Sequence, residues 1–88
     1  IQYNLHETIK EMNAKYYIKK EDLRITKIGQ MIYIDLQNIV DDNSKIQTIK
    51  QADKYRDEII EIINEDFNNF DKWLNISFTK QFYSRQIN

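Results

Sequence analysis

The sequence predicts an α+β domain with the element order helix, strand, strand, helix, strand, in which two helices cover one face of a three-stranded mixed sheet. Three observations predict this fold class. Apolar residues recur at helical spacing in two segments, they alternate with polar residues in three others, and these segments follow one another in that order along 88 residues. The chain contains no proline and a single glycine, Gly29, so few residues interrupt the periodic segments.

The first periodic segment predicts a short amphipathic helix over about residues 3–15. Leu5, Ile9, Met12 and Tyr16 follow one another at intervals of four, three and four residues, which places them on one helix face. His6 lies about 100° around from Leu5, beside this apolar stripe. The helix is therefore expected to bury one side and to leave the other in water.

Two alternating segments on either side of Gly29 predict a β-hairpin. Leu23 and Ile25 alternate with polar residues before the glycine. Gly29 is assigned to the turn, because a tight hairpin turn needs a positive φ that glycine adopts without a Cβ clash. One face of the second strand is apolar (Ile32, Ile34, Leu36 and Val40), and the other is mixed (Tyr33, Asp35, Gln37 and Ile39). The mixed face is too apolar to be simply solvated, so a partner is expected to cover it.

A long helix and a third strand follow. Ser44 and Gln47 fit a capping box, so Ser44 is predicted to be the helix cap, and helical spacing continues to about Asp66. Alternation resumes after a polar break at residues 68–72. The link between the second and third strands is a crossover, which is expected to be right-handed and to place the helix on the apolar face. The apolar stripe of the helix is assigned to Ile49, Ala52, Tyr55 or Arg56, Ile59, Ile60, Ile63 and Phe67, and that of the strand to Leu74, Ile76 and Phe78.

Composition limits the class of protein. Residues 1–88 make one small domain, with its core over about residues 3–79, and no cysteine is present to add a disulfide or a thiolate metal site. The formal net charge is −1 and the 13 basic residues are spread among 14 acidic ones, so nucleic acid is not expected as a partner. No apolar run approaches the ~20 residues that span a bilayer. Because the chain begins with Ile1 rather than Met, we expect it to be a piece of a longer protein.

The sequence lacks the residues of a familiar catalytic site, so the protein is not expected to be an enzyme. It has no Gly-rich phosphate loop, no cysteine nucleophile and one histidine, His6. A single histidine cannot fill a four-ligand zinc site. Oxygen ligands such as Glu21, Asp22 and Asp35 can hold a weak site for a harder ion, completed by water or by a second chain.

The segment from Glu21 to Leu36 carries a resemblance to a known family. It combines an acidic residue before Asp-Leu-Arg, a basic residue before a turn glycine, and an alternating strand that contains Tyr-Ile-Asp. A Val-Asp pair at the end of the strand and a capped helix follow in order. The residues of the whole pattern are Asp22-Leu23-Arg24, Lys27, Gly29, Tyr33-Ile34-Asp35, Val40-Asp41 and Ala52-Asp53. Together they resemble the cytoplasmic C-terminal domain of cation diffusion facilitator transporters, and the likeness covers about residues 16–79.

The resemblance implies a metallochaperone-like or ferredoxin-like domain below a six-helix membrane region that exports a divalent metal ion, Zn²⁺ or similar, in exchange for protons. It implies a homodimer, in which metal at or near the interface favours the transporting state. The domain would then lie at the cytoplasmic side of the cell membrane, attached to the membrane-embedded transport domain of the same chain, with a regulatory and dimerising role.

The sequence departs from the family pattern at the expected metal ligands. The histidines that zinc-binding members carry fall on Glu21, on Gln37, and on Ser77 with Thr79, and none of these is histidine. The candidate metal residues are therefore Glu21, Asp22, Gln37 and His6. We expect the usual zinc site to be lost and dimerisation to be retained through apolar contacts.

Two other classes of protein share part of this pattern. A KH-type nucleic-acid-binding domain needs a GxxG loop, and Ile28-Gly29-Gln30-Met31 has one glycine. A ferredoxin-like ligand-sensing or protein-interaction domain of another regulatory protein shares nearly every physical feature of the sequence, and it is the alternative to a transporter domain.

Overall fold

The computed structural model describes residues 4–80, which form two helices and one three-stranded sheet. The sheet has the order β1-β2-β3, with β1 antiparallel and β3 parallel to the central strand. The predicted α+β fold class and element order are confirmed. The elements are α1 (Leu5–Lys15), β1 (Lys20–Ile28), β2 (Met31–Ile39), α2 (Ile49–Asp66) and β3 (Asp71–Thr79).

The core lies between the two helices and one face of the sheet. Ile34 and Leu36 of β2 are fully buried, as are Leu5 and Ile9 of α1. From α2 the stripe Tyr55, Ile59 and Ile63 packs into the same cluster, and its spacing of four residues keeps these side chains on one helix face. The predicted apolar face of β2 is therefore the face that both helices cover.

Two residues assigned to the stripe of α2 lie outside the core. Ile49 is 82% exposed, because it is the first residue of α2 and the buried stripe begins at Tyr55. Ile60 is exposed because it lies about 100° around the helix from the buried Ile59. The period of the helix was predicted correctly, but the extent of its contact with the sheet was not.

The prediction that Ser44 caps the long helix is wrong. Thr48 is the N-cap: its hydroxyl accepts a hydrogen bond from Gln51 N (3.1 Å), and the Gln51 side chain accepts one from Thr48 N (3.1 Å). Two Ser/Thr-x-x-Gln motifs follow one another in this sequence, and only the second caps α2, because the buried Ile46 holds the intervening chain in a loop against the core.

Ser44 instead fastens the loop at residues 40–48 to the turn after α1. Its buried hydroxyl donates to Tyr17 O (2.8 Å) and accepts from Asp41 N (3.0 Å). Gln47 supports the same loop, since its side-chain amide donates to Ser44 O (2.7 Å) and to Asp41 O (2.8 Å). The side chains of the predicted capping box therefore stabilise a loop.

Gly29 lies in the turn between β1 and β2 with a φ of +59°. A Cβ built at this position has no heavy atom within 4 Å, so the backbone conformation rather than space favours glycine.

The third strand, β3, begins at Asp71, three residues before the predicted start. The start of β3 was not predicted because Lys72 is a charged residue on the face that packs against the helices. Its ammonium group donates to Phe67 O and Phe70 O (2.9 Å each), just after α2.

Neither helix among residues 4–80 is long and apolar enough to cross a membrane.

Candidate metal site

Three of the four candidate metal residues line one cleft between α1 and β1. His6 comes from the first turn of α1, while Glu21 and Asp22 are neighbours near the start of β1. The cleft has a volume of about 230 Å³, and its wall includes the Lys10 side chain. The fold therefore brings His6, Glu21 and Asp22 to the wall of one cleft, with Lys10 beside them.

Glu21 is held by a buried amide. Its Oε1 accepts a hydrogen bond from Asn13 Nδ2 (2.9 Å), and Asn13 lies inside the core on α1. Because neighbouring strand residues point to opposite faces of a sheet, Glu21 lies on the helix-covered face and Asp22 on the other. Asp22 forms an ion pair with Arg24, with 3.4 Å between Oδ2 and Nε.

Gln37, the fourth candidate, lies on the sheet face opposite the helices. In the register of the sheet it stands between Asp22 of β1 and Ser77 of β3, and it is buried. Thr79 lies two residues further along β3 on the same face. The predicted set is therefore divided between two faces of the sheet, and Gln37 and Glu21 do not point into a common site.

The residues do not fit a metal site contributed by one chain. Within residues 4–80, no three His, Cys, Asp or Glu side chains group together as a metal ion would require. Glu21 gives one oxygen to Asn13, Asp22 is paired with Arg24, and Lys10 adds positive charge to the cleft. The cleft supplies polar contacts, but no closed set of ligands.

A buried polar ring next to the cleft was missed by the sequence analysis. Tyr55 Oη donates to Asn13 Oδ1 (2.6 Å), and Asn38 Nδ2 donates to Tyr55 Oη (3.2 Å). Asn13 Nδ2 closes the ring by donating to Asn38 Oδ1 (3.0 Å). We call these three residues the Asn13–Asn38–Tyr55 ring. It joins α1, β2 and α2, and through Glu21 it reaches β1.

A signal for this ring was present in the sequence. Asn13 follows Ile9 by four residues on the buried face of α1, and Asn38 continues the inward series that contains Ile34 and Leu36. Two asparagines at core positions require internal partners, because a buried amide without a hydrogen bond is costly. Burial raises the pKa of the Tyr55 phenol above its ordinary value, which keeps the hydroxyl protonated as a donor.

A second polar contact joins the two helices near the surface. Tyr16 donates a hydrogen bond to Glu58, and Lys15 Nζ lies 3.4 Å from the other carboxylate oxygen. Burial and the Glu58 carboxylate raise the pKa of Tyr16 to about 12. The Tyr16 hydrogen bond, and then the Lys15 charge, lower the pKa of Glu58.

The sheet face opposite the helices carries large exposed side chains at the hairpin end. Trp73 is 52% exposed, Tyr33 is 40% exposed, and their ring centroids are 6.1 Å apart. Ile28, at the end of β1, is 64% exposed. Further along the face, Asn75 Nδ2 donates to Asp35 Oδ1 (3.0 Å). We call this surface the open face.

Comparison with known proteins identifies the fold. No protein-family model and no curated protein sequence matches the chain. Among solved structures, the C-terminal domain of the magnetosome protein MamB from Desulfamplus magnetovallimortis BW-1 is similar, with a TM-score of 0.65 and 15% sequence identity. The likeness covers 93% of this chain and 99% of that domain. The chain therefore has the fold of the MamB C-terminal domain, over a range that includes residues 16–79.

Proposed function

We propose that this chain is the cytoplasmic dimerisation and regulatory domain of a divalent cation efflux transporter. The observation that carries the proposal is the likeness in fold to the MamB C-terminal domain, a cation diffusion facilitator domain, which extends over nearly the whole of this chain and of that domain. The order of motifs from Glu21 to Asp53 supports it independently, since that resemblance rests on residues rather than on backbone shape. The domain would act on transport by its contacts, not by catalysis.

The open face is the surface that we assign to the dimer. Tyr33, Trp73 and Ile28 leave 40–64% of their surfaces exposed, which amounts to on the order of 300 Å² of apolar area per copy. Two copies would bury on the order of 600 Å² of this apolar area, which is less than the roughly 1,200 Å² or more that stable interfaces bury. A weak dimer of the isolated domain follows, and attachment of both copies to one transporter would raise their effective concentration.

The proposal does not require metal in the α1–β1 cleft. The residues there do not fit a single-chain site, so Zn²⁺ or another divalent ion would need ligands from two copies or from water. Calorimetric titration of Zn²⁺ and Mn²⁺ into the chain, with Glu21→Ala alongside, tests this point. Heat that Glu21→Ala abolishes would assign a metal-sensing role, whereas no heat would leave a purely structural dimer domain.

Analytical ultracentrifugation tests the dimer. The chain is expected to associate reversibly at micromolar to submillimolar concentrations, and Trp73→Ser is expected to leave it monomeric. Ile49→Ser is the matched control, because it removes an exposed apolar side chain from α2 rather than from the open face. A monomer at all concentrations, or a Trp73→Ser variant that still dimerises, would contradict the assignment and favour a ligand-sensing or interaction domain on the same fold.

The sequence of the whole polypeptide tests the transporter context separately. Upstream of this domain, the proposal requires several apolar segments of about 20 residues with polar or acidic residues inside them. A full-length protein without such segments would refute the transporter assignment, even if the domain dimerises.

A further inference from the structure

One end of the domain concentrates lysines that are far apart in sequence. Lys19 precedes β1 and Lys20 is its first residue, Lys45 lies in the loop after β2, Lys50 is in the first turn of α2, and Lys80 follows β3. All five side chains are exposed, and the exposed Tyr17 and Ile49 lie among them in sequence and in the fold. We call these seven residues the lysine end.

Backbone hydrogen bonds show that these segments are neighbours in space. Lys19 N donates to Ile39 O (3.0 Å), and Val40 N donates to Thr79 O (2.9 Å), which brings the starts and ends of the three strands together. Lys45 N donates to Tyr16 O (2.8 Å), so the loop before α2 lies against the turn after α1. No clustered basic surface is visible in the sequence, because the cluster forms only when four separate segments meet in the fold.

The charge at this end is unlike that of the whole chain. Asp41 and Asp42 are the acidic residues of the adjoining loop, and Asp41 Oδ1 accepts from Asn43 N (2.9 Å). Glu21 and Asp22 follow Lys20 in β1, and Asp53 lies one turn into α2. Asp22 pairs with Arg24 and Asp53 pairs with Arg56, so the five lysines exceed the remaining Asp41, Asp42 and Glu21 in a chain whose net charge is −1. The first turn of α2 carries no acidic residue, whereas its second half and the start of β3 carry Glu58, Glu61, Glu65, Asp66 and Asp71. The domain has a positive end and a negative end.

The apolar members of the lysine end are held outward. Tyr17 has a φ of +57°, a left-handed conformation that is uncommon for a bulky residue, and its carbonyl is fixed by the buried Ser44 hydroxyl (2.8 Å). Its ring is 59% exposed, with Lys45 Nζ 4.8 Å from the ring centroid. Ile49 is 82% exposed at the start of α2. The strained backbone of Tyr17 thus holds an exposed aromatic ring beside the Lys45 ammonium group.

We propose that the lysine end docks on the surface of an anionic lipid bilayer. Lysines near such a surface are attracted by its negative potential, tyrosine rings are favoured at headgroup depth, and an exposed aliphatic side chain can enter the acyl boundary. The acidic half of α2 would be repelled, so the two charged ends select a single orientation. This docking is independent of dimerisation through the open face and of any metal in the cleft.

The charge complementarity favours lipid over nucleic acid as the partner. A nucleic-acid surface favours phosphate contacts from a basic groove or stripe, whereas the lysine end exposes Ile49 and Tyr17 among its lysines. An apolar side chain gains free energy in a bilayer interface and gains little against a phosphate backbone.

Sedimentation of the chain with lipid vesicles tests the docking. Binding is expected to vesicles containing about 30% phosphatidylserine at ~0.1 M salt, with little binding to pure phosphatidylcholine and with loss at ~0.5 M salt. Lys50→Gln is expected to weaken partitioning about fivefold, and Ile49→Ser about tenfold. Lys27→Gln is the matched control, because it removes the same charge at the hairpin end and should change partitioning by less than about twofold.

Three results would overturn the proposal. They are failure of the chain to bind anionic vesicles at low salt, equal binding to neutral vesicles, and equal weakening by Lys27→Gln and Lys50→Gln. Binding of a DNA duplex that Ile49→Ser leaves unchanged, with no vesicle binding, would assign the surface to nucleic acid instead. Because Trp73→Ser is expected to abolish the dimer while leaving vesicle binding of the monomer detectable, failure of the two proposals can be distinguished.

Discussion

The Asn13–Asn38–Tyr55 ring makes one hydroxyl essential to the core, and Tyr55→Phe tests this role. The substitution removes a single oxygen and preserves the aromatic ring and its edge contact with Tyr16. It leaves Asn13 Oδ1 without its donor at 2.6 Å and Asn38 Nδ2 without its acceptor at 3.2 Å. Both atoms belong to fully buried side chains, so water cannot simply replace the hydroxyl.

The expected loss of stability is large for the removal of one atom. Two hydrogen bonds are worth about 1 kcal/mol each, and a buried polar group left without a partner adds a cost of about 1–3 kcal/mol. We therefore expect Tyr55→Phe to lower the free energy of unfolding by about 3 kcal/mol. A domain of 88 residues has about 4–13 kcal/mol in total, so a quarter or more of the stability depends on this hydroxyl.

Urea unfolding followed by circular dichroism measures the effect. With an m-value of about 1.5 kcal/mol per M, the midpoint is expected to fall by about 2 M. Tyr33→Phe is the matched control, since Tyr33 lies on the open face and the same change there should cost less than about 0.5 kcal/mol. A loss below about 1 kcal/mol for Tyr55→Phe would refute the reasoning, because it would show that the two amides find other partners.

Three further outcomes are expected. Gly29→Ala should lower the free energy of unfolding by about 1–2 kcal/mol in urea titrations, because the new Cβ has room but the φ of +59° is strained for alanine. Thr48→Ala should cost about 1 kcal/mol and reduce the helical circular dichroism signal, as expected for the true N-cap of α2. Because the pKa of Glu58 is lowered in the folded state, its contribution to the free energy of unfolding is present above pH ~4.5 and is lost as pH falls through the folded-state pKa. Tyr16→Phe should therefore make the free energy of unfolding depend less on pH in the acid range, measured by unfolding at several pH values. An unchanged pH dependence would exclude the contact.

Much of the fold was predictable because its signals are local. The alternation after Gly29 correctly identified which face of β2 packs against the helices, and the spacing around Ile59 identified α2. Helix ends were less predictable, since Ser44 and Thr48 offer equivalent local chemistry and only the burial of Ile46 selects between them. The local sequence pattern therefore predicts whether a segment is a helix or a strand, whereas tertiary contacts decide at which residues it begins and ends.

The surfaces and the site were less predictable than the fold. Glu21 and Gln37 were grouped as ligands, but the pleat of the sheet directs them to opposite faces. The lysine end could not be predicted from the sequence, because Lys19 and Lys80 are distant along the chain and come to the same end of the sheet only through the pairing of β1 and β3 with β2. The positions of these groups depend on topology, which one sequence specifies only indirectly.

The parallel pairing of β2 with β3 has a consequence for how the domain forms. Asp35 and Asn75 are neighbours in the sheet but 40 residues apart in sequence, whereas Ile28 and Met31 meet across a tight turn. The hairpin can close early, and the parallel pair has to wait for the crossover helix, so high contact order should set the folding rate. During synthesis, the second edge of β2 stays unpaired until β3, the last of the three strands, has emerged, and in that interval the nascent domain is most exposed to aggregation.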